Sequence, residues 1–208
     1  MAVKTATVVD PFDAPPARHA AGVFGMWLFL VTLGVLFVAT ILGYLVVRLN
    51  PDPAEPFMPA DAPPLPRLLL FSTVALMASG ATMHGTVRAI RSGMRERAAR
   101  LAAATLALAL GFLALQAWAW IDLWRAELRI EDSLYAWSFY VLTGLHAAHV
   151  LGGLVPLVVV CVRARAGRYS PAHPEGAVYC AMYWHFLDAA WLALYATLWL
   201  GSLSGAAG

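Results

Sequence analysis

The chain has 208 residues, of which 61% are hydrophobic and only 12% are charged, with a formal net charge of +2. Ordinary soluble domains have an apolar share of roughly 45–50%, so the composition excludes such a domain and indicates an integral membrane protein. The basic residues fall in short segments between apolar runs, which excludes a nucleic-acid partner.

Five apolar runs are long enough to cross a membrane, since a transmembrane helix needs roughly 20 mostly apolar residues. The predicted fold is therefore an all-α integral membrane bundle of five transmembrane helices, forming one domain at 23–203. Residues 1–22 are predicted to be a retained cytoplasmic tail without a signal peptide, and residues 204–208 a periplasmic tail. The predicted spans are 23–47, 67–90, 99–124, 134–162 and 177–203.

The first two spans are joined by the longest loop, at 48–67. It contains seven prolines together with Asp52, Glu55 and Asp61, so we expect an extended, helix-free and acidic connector.

Lysine and arginine are distributed unequally between the two sides of the predicted bundle. The tail carries two, the loop at 88–100 carries five and the loop at 163–168 carries three, against four in the first and third loops together. Because basic loops stay in the cytoplasm, the amino terminus is predicted to be cytoplasmic and the carboxyl terminus periplasmic. The predicted location is the bacterial inner membrane.

Two pairs of polar residues lie within the last two spans at a spacing of three residues. His146 and His149 lie in the fourth span, and His185 and Asp188 in the fifth. Residues three apart share one helix face, and ionisable groups at this depth are costly unless they face other helices. Their depths differ by only about 3 Å at about 1.5 Å per residue, so we expect one hydrogen-bonded network.

Functional alternatives exist for these residues. Histidines can bind a metal or haem, and a histidine held by a carboxylate can relay protons. A structural role in helix packing is favoured, because the chain lacks further ligands and axial histidines paired near each membrane surface. Gln116 is predicted to bond another helix, and Cys161 and Cys180 show no metal-binding or redox spacing.

The segment at 183–191, YWHFLDAAW, closely resembles the YWHFxDxxW signature of subunit III of the haem-copper oxidases. A second segment, at 133–150, resembles the same family's Y…F…TGxHxxHV helix through Tyr135, Phe139 and the run 143–150. Weaker similarities are Gly25-Met26, Ala78-Ser79-Gly80 and Leu115-Gln116-Ala117, so the resemblance covers about residues 24–203.

The resemblance implies a five-helix form of that subunit, without the two additional amino-terminal helices of seven-helix members. It implies no haem, copper, other metal or catalytic residue in this chain, since haem and copper lie in partner subunits. It also implies packing against subunit I, with subunit II in the same complex, bound phospholipid and support of sustained proton uptake. The buried polar set would then contact helices, lipid or partner subunits; it comprises His146, His149, His185, Asp188 and Gln116.

Two departures from the family pattern limit what can be transferred. The buried glutamate that many members carry in the Gly-Met helix falls on Leu33 in this chain. Trp118, Ala119 and Trp120 occupy the segment after Gln116, where the family often has another glutamate. Roles that depend on those carboxylates are therefore not expected here.

The sequence thus predicts a non-catalytic subunit of a proton-pumping terminal oxidase, in which other subunits reduce oxygen to water. A cytochrome c oxidase is favoured over a quinol oxidase, although the sequence leaves the electron donor open. The nearest alternative is an accessory subunit of nitric oxide reductase, since a relative of that complex shares the signatures. A stand-alone transporter would need inverted repeats or broken helices, and a haem-bearing electron carrier would show a Soret band.

Overall fold

The computed structural model describes residues 15–50, 57 and 63–205. Five long α-helices occupy almost all of this part of the chain, and it contains no β-strand beyond an isolated bridge between Ser170 and His173. The helices are α1 (Pro15–Leu49), α2 (Leu68–Arg91), α3 (Arg95–Arg125), α4 (Leu134–Arg165) and α5 (Glu175–Gly205).

The prediction of an all-helical bundle of five helices is confirmed. Four of them, α1 to α4, are long and apolar enough to cross a membrane. Helix α5 has 31 residues, which is also a spanning length, and it carries polar and aromatic side chains around His185 and Asp188. These side chains face other helices for the most part, as described below.

The helices begin and end close to the predicted span limits, except that α1 begins at Pro15, ahead of the predicted span at 23–47. A helix can extend beyond the hydrocarbon, so the span limits themselves stay predictions. Most of the connector at 48–67 and most of both tails lie outside the described residues. Cys161 and Cys180 are both buried and free, and no disulfide joins them.

Successive helices run antiparallel, which brings the two basic turns to the same end of the bundle. The turn between α2 and α3 passes through Gly93, whose φ of +70° is a conformation that favours glycine. A Cβ on Gly93 would lie 3.8 Å from Pro171 in the loop between α4 and α5. A Cβ on Gly167, after α4, would lie 3.5 Å from the Arg95 side chain at the start of α3.

At the opposite end, polar and aromatic contacts join α1, α4 and α5. Arg48 donates to the Tyr44 hydroxyl at 2.8 Å and to the carbonyl oxygen of Gly201 near the end of α5. The ring of Phe57 lies between Tyr44 and Tyr135, at centroid distances of 5.7 and 6.0 Å. These contacts connect the end of α1 to the start of α4.

Helix α2 packs against α3 and α5, α4 packs between α3 and α5, and α1 lies on the outside against α5 and α4. The outer face of α1 is covered with large apolar side chains, as expected for a surface in contact with lipid or another protein. Those more than half exposed are Phe24, Trp27, Leu28, Val31, Val35, Val38, Leu42, Val46 and Leu49.

Candidate functional site

The inner face of α5 is bonded to α2 by two tryptophans. Trp184 and Trp191 are fully buried, and they lie seven residues apart, on one face of the helix. The indole N–H of Trp184 donates to the Ser79 hydroxyl at 2.9 Å, and that of Trp191 donates to the Thr73 hydroxyl at 2.8 Å. Each of these N–H groups therefore has a partner within the bundle, as burial requires.

The hydroxyls of Ser79 and Thr73, which accept hydrogen bonds from the tryptophans, also donate hydrogen bonds themselves. Ser79 donates to the carbonyl oxygen of Leu76 at 2.7 Å, and Thr73 donates to that of Leu69 at 2.7 Å. Bonding to a carbonyl one turn back is a local pattern that small hydroxyl residues adopt in helices. Each hydroxyl thus links α5 to α2 without leaving a buried polar atom of its own unpaired.

Asp188 lies between the two tryptophans on the α2-facing side of α5. It is only 9% exposed, and its carboxylate lies directly against Gly80 of α2, where a Cβ would overlap both Oδ2 and Cγ. The side chain meets His185, whose Nδ1 lies 3.3 Å from Asp188 Oδ2. Asp188 Oδ1 is buried and has no hydrogen-bond partner among the described residues.

His185 faces outward, because the helical twist places it at the edge of the α2–α5 contact. Its side chain is 44% exposed, against 12% for that of Asp188. The ring centroid of His84, on α2, lies 5.9 Å from that of His185, and His84 is also exposed. A third titratable side chain, absent from the predicted set, thus joins the pair.

His146 lies at the centre of the bundle among aromatic rings. It is fully buried, and its ring centroid lies 5.0 Å from that of Trp191, 5.6 Å from Phe112 and 6.1 Å from Phe37. These rings come from α5, α3 and α1. Neither ring nitrogen of His146 has a hydrogen-bond partner in the part of the chain that the structure describes.

His149 lies one turn along α4 from His146 and also faces α1. Its Nδ1 lies 2.8 Å from the carbonyl oxygen of Leu145, and its ring centroid is 5.1 Å from that of Phe37 on α1. Its backbone carbonyl accepts a hydrogen bond from the Tyr183 hydroxyl at 2.9 Å. His149 therefore connects α4 to α1 and to α5 through packing and backbone, and it does not bond to Asp188.

Gln116 bonds another helix, as its burial requires. It is 1% exposed, and its Oε1 lies 3.5 Å from the Ser72 hydroxyl on α2, while its Nε2 is unpaired among the described residues. A second polar contact between the same helices is the 2.8 Å hydrogen bond that joins Thr82 and Thr105.

The expectation of one hydrogen-bonded network therefore needs correction. The structure separates the predicted residues into a pair, His185 and Asp188, and three individual sites at His146, His149 and Gln116. Similar depths follow from the rise along each helix, and they do not by themselves bring two side chains together. The helical rotation also matters, because it directs His149 toward α1 and Asp188 toward α2.

The sequence indicates these polar residues more readily than it indicates their hydrogen-bond partners. The hydroxyls of Ser79 and Thr73 carry no signal in isolation, although Ser79 stands inside the small-residue segment Ala78-Ser79-Gly80. No group of three or more histidine, cysteine, aspartate or glutamate side chains in the described segments is placed to hold a metal ion.

A separate cavity of about 660 Å³ opens between α3 and α4, at the end of the bundle opposite the basic turns. Its walls combine the rings of Trp120, Trp124 and Tyr140 with the guanidinium-bearing side chain of Arg129. The indole N–H of Trp120 donates to the Thr143 hydroxyl at 3.1 Å, which fixes that ring against α4.

Comparison with known proteins decides the family. Residues 17–202 match the family model described as cytochrome c oxidase subunit III, which includes all five helices. The chain belongs to the cytochrome c oxidase subunit III family. The match confirms the resemblance that the segments at 133–150 and 183–191 indicated.

Individual relatives agree with the family model. The chain is 34% identical over 186 residues to cytochrome c oxidase subunit 3 of Branchiostoma lanceolatum, covering 86% of this chain and 69% of the relative. It is 32% identical over 190 residues to the Gallus gallus protein of the same name, with the same coverage. The chain is also 38% identical over 134 residues to cytochrome c oxidase subunit 3 of Paracentrotus lividus. This match spans 64% of this chain and half of the relative.

For this member of the subunit III family, the signature residues have structural explanations. Trp184 and Trp191 bond α5 to α2, and Asp188 packs on Gly80, so the YWHFLDAAW segment forms the contact between those helices. The TGLHAAHV segment places His146 among the aromatic rings and His149 against α1. Leu33 is half-buried in α1.

Proposed function

We propose that this chain is a non-catalytic subunit of a proton-pumping haem-copper terminal oxidase and that it stabilises the catalytic subunit in the membrane. The observation that carries the proposal is the family match over residues 17–202, which runs through both signature segments. In such a complex the haem and copper lie in partner subunits, where oxygen is reduced to water.

The contacts of the signature residues support a structural role. The indole N–H groups of Trp184 and Trp191 are used in bonds between helices, and Nδ1 of His149 lies against its own helix. Side chains engaged in this way position helices relative to each other, since polar contacts and close packing hold membrane bundles together. The chain would thus present a rigid, multi-pass surface to subunit I and, within the same complex, to subunit II.

We propose further that the cavity between α3 and α4 holds a phospholipid. Arg129 supplies a cation for the phosphate, and Trp120, Trp124 and Tyr140 supply amphipathic rings of the kind that lie at the membrane interface. The cavity volume of about 660 Å³ accommodates a headgroup and the first part of its acyl chains.

Sustained proton uptake by the complex belongs to the same proposal, in which this chain acts through packing and lipid. The proposed location is the bacterial inner membrane, with the amino terminus in the cytoplasm. The two basic turns at one end of the bundle support this orientation, because arginine-rich loops remain on the cytoplasmic side.

Gentle purification through a carboxyl-terminal tag tests the proposal. We expect a large haem- and copper-containing chain to elute with the tagged protein, and oxygen to be consumed with reduced cytochrome c or with a quinol. The electron donor that supports the faster oxygen consumption then identifies the type of oxidase. Elution of the chain alone, under conditions that preserve other respiratory complexes, would reject the proposal.

The same preparation distinguishes the alternatives. Reduction of nitric oxide without consumption of oxygen would indicate an accessory subunit of nitric oxide reductase. A Soret band from the tagged chain after its partners are removed would indicate a haem-bearing carrier.

A further inference from the structure

The cavity between α3 and α4 carries one charge of each sign. Arg129 and Glu131 both line it, and both belong to the loop between Arg125, where α3 ends, and Leu134, where α4 begins. Among the described residues no ion pair joins the two side chains, and neither of them makes a hydrogen bond. A guanidinium and a carboxylate are therefore both open to a ligand in the same cavity.

Local hydrogen bonds hold this loop in place at the cavity. The backbone N–H of Arg129 donates to the Asp132 carboxylate, and the Tyr140 hydroxyl donates to the carbonyl oxygen of Leu128 at 3.0 Å. Leu128 is buried, which anchors the loop in the bundle. Asp132 is thus engaged with the backbone, and Glu131 is the acidic residue in the cavity wall.

The cavity wall changes in polarity along the axis of α3. At about 1.5 Å per residue, Trp124, Trp120 and Ala117 lie about 2, 8 and 12 Å before the last residue of the helix. Moving inward from the loop, the wall is first charged, then aromatic, then small and apolar. This is the order of the phosphate, ester and acyl regions of a phospholipid, whose ester region is where tryptophan and tyrosine rings collect.

The charge of the loop does not suit a purely anionic headgroup. Residues 125–132 contain two arginines, Arg125 and Arg129, and three carboxylates, Glu127, Glu131 and Asp132. Sites for anionic lipids are instead clusters of lysine and arginine. A zwitterionic headgroup carries one anion and one cation, and the cavity wall offers one guanidinium and one carboxylate.

The carboxylate also distinguishes between kinds of ammonium group. Ionised Glu131 is an acceptor only, and a primary ammonium carries three N–H donors. Hydrogen bonds between charged groups are stronger than those between neutral groups. A quaternary ammonium, as in choline, has no N–H to donate, so the primary ammonium of ethanolamine matches Glu131 better.

We propose that the cavity between α3 and α4 selects phosphatidylethanolamine, whose phosphate binds Arg129 and whose primary ammonium donates to Glu131. The inference rests on the proposed function, since it specifies the headgroup of the phospholipid held in that cavity.

Photo-labelling of the unmodified complex in vesicles tests the selection. The vesicles contain equal amounts of phosphatidylethanolamine and phosphatidylglycerol, and in parallel samples one or the other carries a diazirine at the same acyl position. Peptide mass spectrometry measures labelling of the cavity segment at 117–131 and of Val46, which is 61% exposed near the same end of the bundle on α1. An exposed ion pair contributes modestly, so we expect the ratio of ethanolamine to glycerol lipid to be about threefold higher in the cavity segment than at Val46. An equal or lower ratio would overturn the proposal.

Matched substitutions locate the group that selects the headgroup. Glu131→Gln removes the carboxylate that lines the cavity, and Glu127→Gln removes one from the same loop that lies outside the lining. We expect the preference to disappear in the first variant and to persist in the second. Equal effects of the two substitutions would overturn the assignment to Glu131.

Two further comparisons complete the test. Arg129→Gln should reduce labelling of the cavity segment by both lipids, because both carry the phosphate, and unchanged labelling would contradict the role of Arg129. With phosphatidylcholine in place of phosphatidylglycerol, the parent complex should still favour the ethanolamine lipid. Equal labelling by these two lipids would overturn selection of a primary ammonium.

The outcomes separate this inference from the proposed function. Membership of an oxidase is judged by co-elution of a haem-copper chain, whichever lipid labels the cavity. Labelling by phosphatidylglycerol without preference overturns the headgroup selection and leaves a phospholipid in the cavity. Labelling of the cavity segment by neither lipid overturns the selection and the proposed lipid site together.

Discussion

Trp184 and Trp191 show how single residues determine the contact between α2 and α5. Each buries a large ring and uses its only polar atom on a hydroxyl of the facing helix, at 2.9 and 2.8 Å. Such a bond between membrane helices contributes on the order of 1 kcal/mol, so the rings supply most of the packing and the N–H groups fix the register.

Replacing Ser79 with alanine removes the acceptor of the Trp184 indole and leaves a buried N–H unpaired. We expect Ser79→Ala to lower the free energy of unfolding by about 1–2 kcal/mol, measured by thermal denaturation of the purified chain in detergent. The matched control is Ser202→Ala, since among the described residues Ser202 bonds only to the carbonyl oxygen of Trp199 in its own helix. Equal effects of the two substitutions would contradict the assigned role of the Ser79–Trp184 bond.

Gly80 is required by the position of Asp188. A Cβ at this site would overlap the carboxylate, so we expect Gly80→Ala to destabilise the bundle by about 1–3 kcal/mol. Gly111→Ala is the control, because nothing lies within 4 Å of a Cβ built there.

The Gly80 prediction includes a coupling between two positions. In an Asp188→Ala background the overlap disappears, and the cost of Gly80→Ala should shrink to less than half of its value in the parent chain. The same thermal unfolding assay measures the parent chain, the two single variants and the double variant. Additive effects would show that the strain arises elsewhere.

At the scale of single residues, the sequence correctly predicts that His146, Asp188 and Gln116 are buried, but its prediction that His185 is buried is wrong, since that side chain is 44% exposed. How the polar side chains pair is not predicted. The spacing of His185 and Asp188 predicts their shared face, and their 3.3 Å contact follows from it. The exposure of His185 could not be predicted, since it depends on how α5 is rotated against α2. The aromatic surroundings of His146 likewise depend on how α1, α3 and α5 pack around α4, which no local sequence pattern predicts.

At the scale of whole elements, α1 differs from the other helices in its attachment. It packs against α5 and α4 and exposes a large apolar surface, and Phe37 is one of its few buried side chains. The ring of Phe37 lies within 6.1 Å of those of His146, His149 and Phe186. Phe37 is therefore the main anchor of α1 in the centre of the bundle.

Removing this anchor should loosen α1. We expect Phe37→Ala to lower the free energy of unfolding by about 3–5 kcal/mol, the usual cost of deleting a buried phenylalanine ring. The neighbouring Val38 is 56% exposed, so Val38→Ala should change stability by less than about 0.5 kcal/mol. Thermal unfolding with accessibility labelling of α1 measures both, and similar effects of the two substitutions would show that α1 is held by other contacts.

Element positions follow from the sequence because each apolar run is bounded by clear breaks. Ser133 caps α4 by accepting from the backbone N–H of Ala136 at 3.1 Å, and Gly93 turns the chain after α2. The apolar run at 177–203 likewise predicts α5, in which Trp184 and Trp191 bond to α2. The rotation of each helix about its axis depends on its neighbours and stays beyond sequence reasoning.

At the scale of the whole molecule, the bundle has one basic end and one aromatic end. The turn at Gly93 meets the loop at Pro171, and the end of α1 meets the end of α5 through Arg48. Positive loops collected at one end predict which side of the membrane that end occupies.

Cysteine labelling tests this orientation. In a background with Cys161→Ala and Cys180→Ala, we expect Ile130→Cys to react with a membrane-impermeant maleimide added to intact spheroplasts. Ser92→Cys, in the basic turn, should react only after the membrane is opened. The reverse pattern would invert the proposed topology while leaving the fold unchanged.

We propose that this chain supports an oxidase without performing its chemistry. Oxygen consumption through successive turnovers, compared between complexes purified with and without this chain and normalised to haem content, tests it most directly. We expect the initial rate per haem to be retained in the depleted complex and its activity to decline several-fold faster during turnover. Loss of the initial rate with the haem intact, or equal lifetimes of the two complexes, would contradict the account.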